Sequence, residues 1–461
     1  MALVSLKPPL RDLADGRSQV EVEGATVAEI VGTLERTYPR LTGWIRDEHG
    51  GVRPHVHLFL NGERAELGAE VSASDRLHVL PAISGGALGT AVAEEEELLA
   101  TDPAEHEELL VGTRKGLFVL RGRKGGPMQE VERMFSGQVV EFAIRDPRTG
   151  TYFASVTHGQ HGPRLFFADD PTGEWEQASG PAFPDDAEWT LERIWNVTPG
   201  VEPGVVWAGV APAALFRSND NGCTWDLNRG LWNVPSRKDW QPGAGGMCLN
   251  SICPWPGDPD RLLVGISAAG VWVTEDGGET WSWGGNGLVP RYLPEEAREG
   301  AITLCVHNVH RAPLEPTTLY LQFHGGVYRS DDQGYHWQDI GTNTGLPADF
   351  GFPLVVDPND PDRAYVIPLR GDFDRVTPEG RVRVYATTDR GGSWEALEDG
   401  LPQDGAYLTI LRQAFGHDGG DPLGLYFGAE SGEVFGSADG GRSWNTVAEH
   451  LPPVLSVRCS G

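Results

Sequence analysis

Five stretches of this chain are variations on one phrase. "SNDNGCTW" (218–225), "TEDGGETW" (274–281), "SDDQGYHW" (330–337), "TDRGGSW" (388–394) and "SADGGRSW" (437–444) follow the pattern Ser/Thr-x-Asp-x-Gly-x-Ser/Thr-Trp, with His336 replacing the hydroxyl residue in the third. Their aspartates, Asp220, Asp276, Asp332, Asp389 and Asp439, are separated by 56, 56, 57 and 50 residues, and "ADDPTGEW" (168–175) is a worn sixth copy with Asp170 and Trp175 in register. Such a period marks an array of small units that bury their apolar faces only against one another. Within a copy, the Asp carboxylate accepts turn N–H groups and a neighbouring hydroxyl. Gly adopts a backbone angle that other residues resist, and Trp seals the apolar space between adjacent sheets. The six aspartates are therefore read as structural, with no catalytic role.

Each copy follows a pair of strands. The first strand of each pair reads "LLVGTR", "YFASVTH", "VVWAGV", "LLVGIS", "LYLQF", "AYVIPL" or "LYFGAE", which makes seven units. Six of them are preceded by a further apolar strand: "VVEFAIRDP", "ERIWNVTP", "LNSICPWP", "TLCVHNV", "FPLVVDP" and "LTILRQAF". The unit at residue 109 lacks one, while the chain ends on "PPVLSVRCS", a strand with no unit after it. A seven-bladed β-propeller over 109–461, closed by pairing the C-terminal strand into the first blade, accounts for both and removes free sheet edges. Six blades, with one unit decayed, is the alternative. The 61 glycines and 15 tryptophans suit this turn-rich, mainly β architecture.

The first 86 residues obey a different rule. "ALVSLKPPL" and "SQVEVEG" alternate as hairpin strands. Thr26 with Glu29 starts a capping box, and Val27, Ile30, Val31 and Leu34 form the apolar stripe of a helix that Pro39 ends. "PHVHLFLNGE" is a strand entering an Asn-Gly turn, and "DRLHVLPAISGG" is a last strand with a Gly-Gly end. Two strands, a helix and more strands make a β-grasp, the ubiquitin-like α+β pattern.

"VEGATVAEIVGTLERTYP", "VHLFLNGE" and "VLPAISGG" resemble the MoaD/ThiS-type ubiquitin-like sulfur carriers over nearly all of residues 1–86. The resemblance implies that Gly85 and Gly86 form a carrier tail. Its terminal carboxylate would be adenylated by an E1-like adenylating enzyme and converted to a thiocarboxylate, with no other cofactor. His57, Phe59, His78 and Leu80 share strand parity and are the expected docking face. Here Gly86 is followed by Ala87, so its carbonyl is an amide and cannot be adenylated as a carboxylate can. The domain is either latent until a tail-clipping metalloprotease cuts after Gly86, or a pure binding module. Residues 87–108 form an acidic linker carrying about −8 with no Lys or Arg, the kind of link where cleavage concentrates.

The repeats resemble the Asp boxes of bacterial-neuraminidase (BNR) repeats, found in sialidases, in sortilin and in the photosystem II assembly factor. In such propellers the boxes occupy one rim. The opposite face, built by loops between second and third strands and between blades, is the expected binding site. Candidates there are His158, His161, Arg193, Trp240, His324, Arg370, Asp372 and Asp374. A sialidase-like glycoside hydrolase would need three arginines, for which Arg193, Arg370 and Arg412 are the trio, and paired carboxylates, for which Asp372, Asp374 and Glu192 stand. Nothing flanking these arginines resembles the sialidase motif. The leading expectation is a non-catalytic binding and delivery protein whose propeller face takes a protein or carbohydrate ligand. A glycoside hydrolase and a purely structural fusion that binds partners are the alternatives.

A net charge of −29 repels nucleic-acid backbones and anionic membrane surfaces. No apolar run reaches signal or membrane-span length. The five cysteines lack metal-type spacing and read as reduced thiols of a cytoplasmic protein. No metal site is expected. His307 and His310, three apart on a strand, point to opposite faces and read as core or channel histidines.

Overall fold

The computed structural model describes the chain apart from residues 1, 7–9, 15, 43–44, 47–50, 54–55, 62, 73–74, 82–105, 188, 244–245, 299–300 and 302. It divides into two units, Met1–Ala100 and Thr101–Gly461. The tail Gly85–Gly86 and most of the acidic linker lie outside the described residues.

In the first unit, strands Ala2–Leu6 and Gln19–Val22 pair antiparallel, as their alternation requires. Arg76–Pro81 inserts beside Ala2–Leu6 in parallel, and Val56–Leu60 and Glu63–Arg64 complete a five-stranded sheet. Helix Val27–Thr37 is capped by Thr26, whose hydroxyl accepts the Glu29 N–H at 3.3 Å, while the Glu29 carboxylate accepts the Ala25 N–H at 2.8 Å. Val27, Ile30, Val31 and Leu34 are fully buried against Val4, Leu6, Leu77 and Val79. This is the expected β-grasp.

The second unit contains seven four-stranded sheets. Six run in chain order, their first strands being Val139–Arg145, Arg193–Pro199, Cys248–Trp255, Val306–Arg311, Gly351–Val356 and Phe415–His417. The seventh joins the C-terminal strand Val454–Cys459 to His106–Thr113, Gly116–Arg123 and Met128–Met134. These seven inner strands contact one another in sequence, and Val454–Cys459 meets Val139–Arg145 to close the ring. The propeller is therefore seven-bladed, not six. Two boundaries differ from expectation. The first propeller strand begins at His106 rather than residue 109, so Glu107 and Glu108 belong to a blade. The inner strand read as "LTILRQAF" forms only at Phe415–His417; Arg412 O instead accepts from the Asn308 side chain and Gln413 donates to Asn250 O, both on other blades.

The repeated aspartates all close the turn between third and fourth strands. Asp389 accepts the Thr387 hydroxyl at 2.8 Å, the Ser393 N–H at 2.9 Å and the Ser393 hydroxyl at 2.8 Å. Asp220, Asp276 and Asp439 repeat this set. At Asp332 the His336 ring replaces the hydroxyl, 2.6 Å away. Asp170 departs from the pattern: it accepts the N–H and hydroxyl of Thr172, two residues on. The turn glycine is obligatory. Gly222 sits at φ +86, and a Cβ there would lie 2.4 Å from the Phe153 ring. Trp394 donates to Ile340 O of the preceding blade at 2.8 Å and Trp337 to Gly284 O at 2.7 Å, so the tryptophans tie blade to blade.

Candidate functional site

Inner strands carry a recurrent defect that shapes the mouth of the ring. In five of them the register against the second strand slips by one residue, leaving Glu141, Trp195, Asn250, His307 and Leu455 unpaired. In a sixth, Phe352 and Pro353 are skipped. A bulge re-aims a side chain and commonly sits beside a functional site. Glu141, Trp195 and Leu455 line one cavity of about 290 Å³ with Arg114, Arg193, Arg375, Arg412 and Glu430. Arg114, Arg375 and Glu430 come from turns between second and third strands, Arg193 from the start of an inner strand, and Arg412 from the segment just before Phe415–His417. The cavity thus opens on the face opposite the repeated aspartates.

Its charges are unevenly matched. Glu141 pairs with Arg193 and Glu430 with Arg114, each at 3.0 Å. Arg412 and Arg375 pair with no carboxylate among the described residues. Arg412 lies 5.4 Å from the Trp195 ring centre and 4.9 Å from that of Phe352, and Arg375 lies 5.3 Å from Phe352, a stacking that planar guanidinium favours. The Nε of Arg412 and the Nε1 of Trp195 are buried donors without a hydrogen-bond partner. Unsatisfied buried donors are costly and call for an acceptor. Burial raises the Glu141 carboxyl above its ordinary value, outweighing the opposing pull of Arg193 and Arg114.

The other candidates are dispersed. Arg370 pairs with Asp374 at 2.9 Å, both more than half exposed, and does not line the cavity with Arg193 and Arg412. The proposed trio does not assemble, because the local i,i+4 ion pair claims Arg370. Asp372 stands 3.7 Å from Nε2 of His324, and Glu192 lines a separate pocket, so Glu192 does not join the two aspartates. His158 and His161 stack on each other at 4.6 Å beside a turn on the same face. Trp240 lines that second pocket, of about 640 Å³, with Glu192, Trp189 and Trp232. Arg237 lies 3.9 Å from the Trp232 ring centre there, and burial pushes its pKa down to about 10. Arg114, Glu141, Trp195, Arg375 and Glu430 were missed by sequence reasoning. The available signal was positional: Glu141, Trp195, Asn250, His307 and Leu455 each precede a two-residue step ending in Val, Ile or Ala.

On the β-grasp sheet, His57 stands opposite Leu80 and Phe59 opposite His78. Their neighbours Leu58, Leu77 and Val79 are buried in the core, so the four positions share the other face. Phe59 and His78 are half-buried, and the side chains of His57 and Leu80 lie outside the described residues.

The family model described as "ThiS family" matches residues 6–86. Small archaeal modifier protein 1 of Haloferax volcanii is 34% identical over 79 residues, which is 17% of this chain and 91% of that protein. The chain belongs to the ThiS family. Behind its ThiS-family domain, the propeller is similar to the oligoxyloglucan-reducing end-specific xyloglucanase of Emericella nidulans, at 25% identity over 226 residues. That match covers 41% of this chain and spans a quarter (25%) of the xyloglucanase. The crystal structure of an ancestral GH74 enzyme superposes with a TM-score of 0.45 and 14% identity over 76% of this chain and 39% of that one. Among the described residues of this ThiS-family chain, no helix is long and apolar enough to cross a membrane.

Proposed function

We propose that this ThiS-family chain is a binding and delivery protein: a latent sulfur carrier borne on a propeller that docks an anionic, acceptor-rich group at its mouth. The observation that carries the reading is that the ThiS match closes at residue 86, on a glycine whose carbonyl is bonded to Ala87. The carrier chemistry needs a free carboxylate there, so proteolysis after Gly86 is the activating step. A metalloprotease makes the cut and an adenylating enzyme meets the face of Phe59 and His78. The mouth supports a docking role, since both of its glutamates are held by arginines while Arg412 and Trp195 present unsatisfied donors. The test is Gly86→Ala in the host. Impaired growth under sulfur limitation is expected; a silent substitution contradicts delivery and favours a purely structural fusion.

A second reading, hydrolysis of a glycosidic bond, is favoured by Glu141, whose burial-raised carboxyl suits a general acid. Turnover of xyloglucan oligosaccharides or chromogenic glycosides by the full chain, abolished by Glu141→Gln, would establish it. Absence of turnover leaves the binding role.

A further inference from the structure

A cluster of Cys and His ligands adjoins the arginine cavity without lining it, and sequence spacing alone does not reveal it. Cys305 immediately precedes the strand Val306–Arg311, and His307 follows two residues later. The His324 N–H donates to Cys305 O at 3.1 Å, which extends the pairing of Val306–Arg311 with Leu319–Phe323 and sets His324 directly across from Cys305. The bulge between Val306 and Asn308 then turns His307 toward the pair. One ligand atom from each of Cys305, His307 and His324 lies within 4.8 Å of the other two. Around one zinc ion, ligand atoms at about 2.0–2.3 Å from the metal stand roughly 3.5 Å apart, so small side-chain movements close the set.

We propose that Cys305, His307 and His324 bind a zinc ion. The second observation is the orientation of His307. Its Nδ1 lies 2.6 Å from Gly351 O, so Nδ1–H donates to that carbonyl and Nε2 carries the lone pair. Metal-bound histidines are anchored by this kind of carbonyl contact. The ring is buried among Phe350, Phe352 and His324, with centroids at 5.3, 4.7 and 5.3 Å. Arg412 and Arg375 act on these histidines against a cation. A directly bound thiolate and the Asp372 carboxylate, 3.7 Å from His324 Nε2, oppose them. One thiolate with two imidazoles is a zinc-type set, and three protein ligands leave the fourth position open, as in catalytic rather than structural sites. The proposal rests on this cluster alone and is independent of anion docking or carrier release.

Cobalt(II) added to the full chain after chelator treatment tests it. One equivalent is expected to bind with a thiolate-to-cobalt charge-transfer band and the strong visible bands of a tetrahedral ion, both bleached by zinc. Cys305→Ser is expected to abolish the charge-transfer band. His324→Gln, at a partly buried position, is expected to weaken binding by at least the ~10–100-fold that losing even a supporting partner costs. Cys223→Ser, at an exposed cysteine, is expected to leave both unchanged. A folded wild-type chain without the charge-transfer band overturns the proposal, as does a band that survives Cys305→Ser or an affinity unchanged in His324→Gln.

Discussion

Val457 lies directly opposite Val111, so the last strand of the chain pairs with the first strand of the propeller across nearly the whole second unit. Both residues are fully buried. One set of ladder hydrogen bonds therefore decides whether the blades form a ring or an open stack with two bare edges. Val457→Asp places an unpaired charge in that seam, a change worth several kcal/mol. The variant is expected to lose cooperative thermal unfolding and to associate on size-exclusion chromatography. Wild-type melting and a monodisperse peak would show that closure does not hold the ring.

The turn aspartates make stability sensitive to acid. Asp389 is held below its ordinary value by the Ser393 N–H and then the Ser393 hydroxyl. Because the folded value is depressed, its contribution is present above the ordinary carboxylate value of about 4 and is lost as pH falls through the folded value. Asp389→Asn is expected to lower stability by about 1 kcal/mol at neutral pH and by less in acid well below the ordinary carboxylate value. Thermal melts at both pH values check this; an equal loss at both would contradict it.

Glu107 works in the opposite direction. Burial, then repulsion from Asp418, pushes its pKa up to about 7 from 4.5. For a carboxyl with a raised folded value, stability falls as pH climbs from the unfolded value toward the folded one. Glu107→Gln is expected to raise the melting temperature at pH 8 and to change it little at pH 4, which paired melts would show. A gain of equal size at both would contradict the assignment.

Much of this was legible in the sequence because it depends on period. Repeated turns, alternating strands and the unpaired strand at each end of the propeller gave blade number and closure, and the Val27–Leu34 stripe gave the β-grasp helix. The mouth was less legible. It is built by bulge residues as unlike as Glu141, Trp195 and His307, which share a position but no chemistry. Arg370 lies in a second-to-third-strand loop as expected but outside the arginine cavity, where "RGDFDR" pairs it with Asp374. Cys305, His307 and His324 meet through strand pairing rather than through a motif.

At the mouth, Arg412 and Trp195 are expected to hold an anion. Isothermal titration of the full chain with inorganic phosphate and with glucuronate should give saturable heats. Arg412→Gln should reduce affinity at least about tenfold, in line with the loss of a charge-assisted hydrogen bond. Arg370→Gln, outside the cavity, should leave it unchanged. No heat with either probe, or equal affinity in Arg412→Gln, would remove the docking role.

The latent carrier is tested most directly by the intact mass of the protein taken from its own host under sulfur-limited and sulfur-replete growth. A species ending at Gly86, with sulfur replacing one terminal oxygen under at least one condition, is the expected result. Full-length chain alone under both conditions would contradict it.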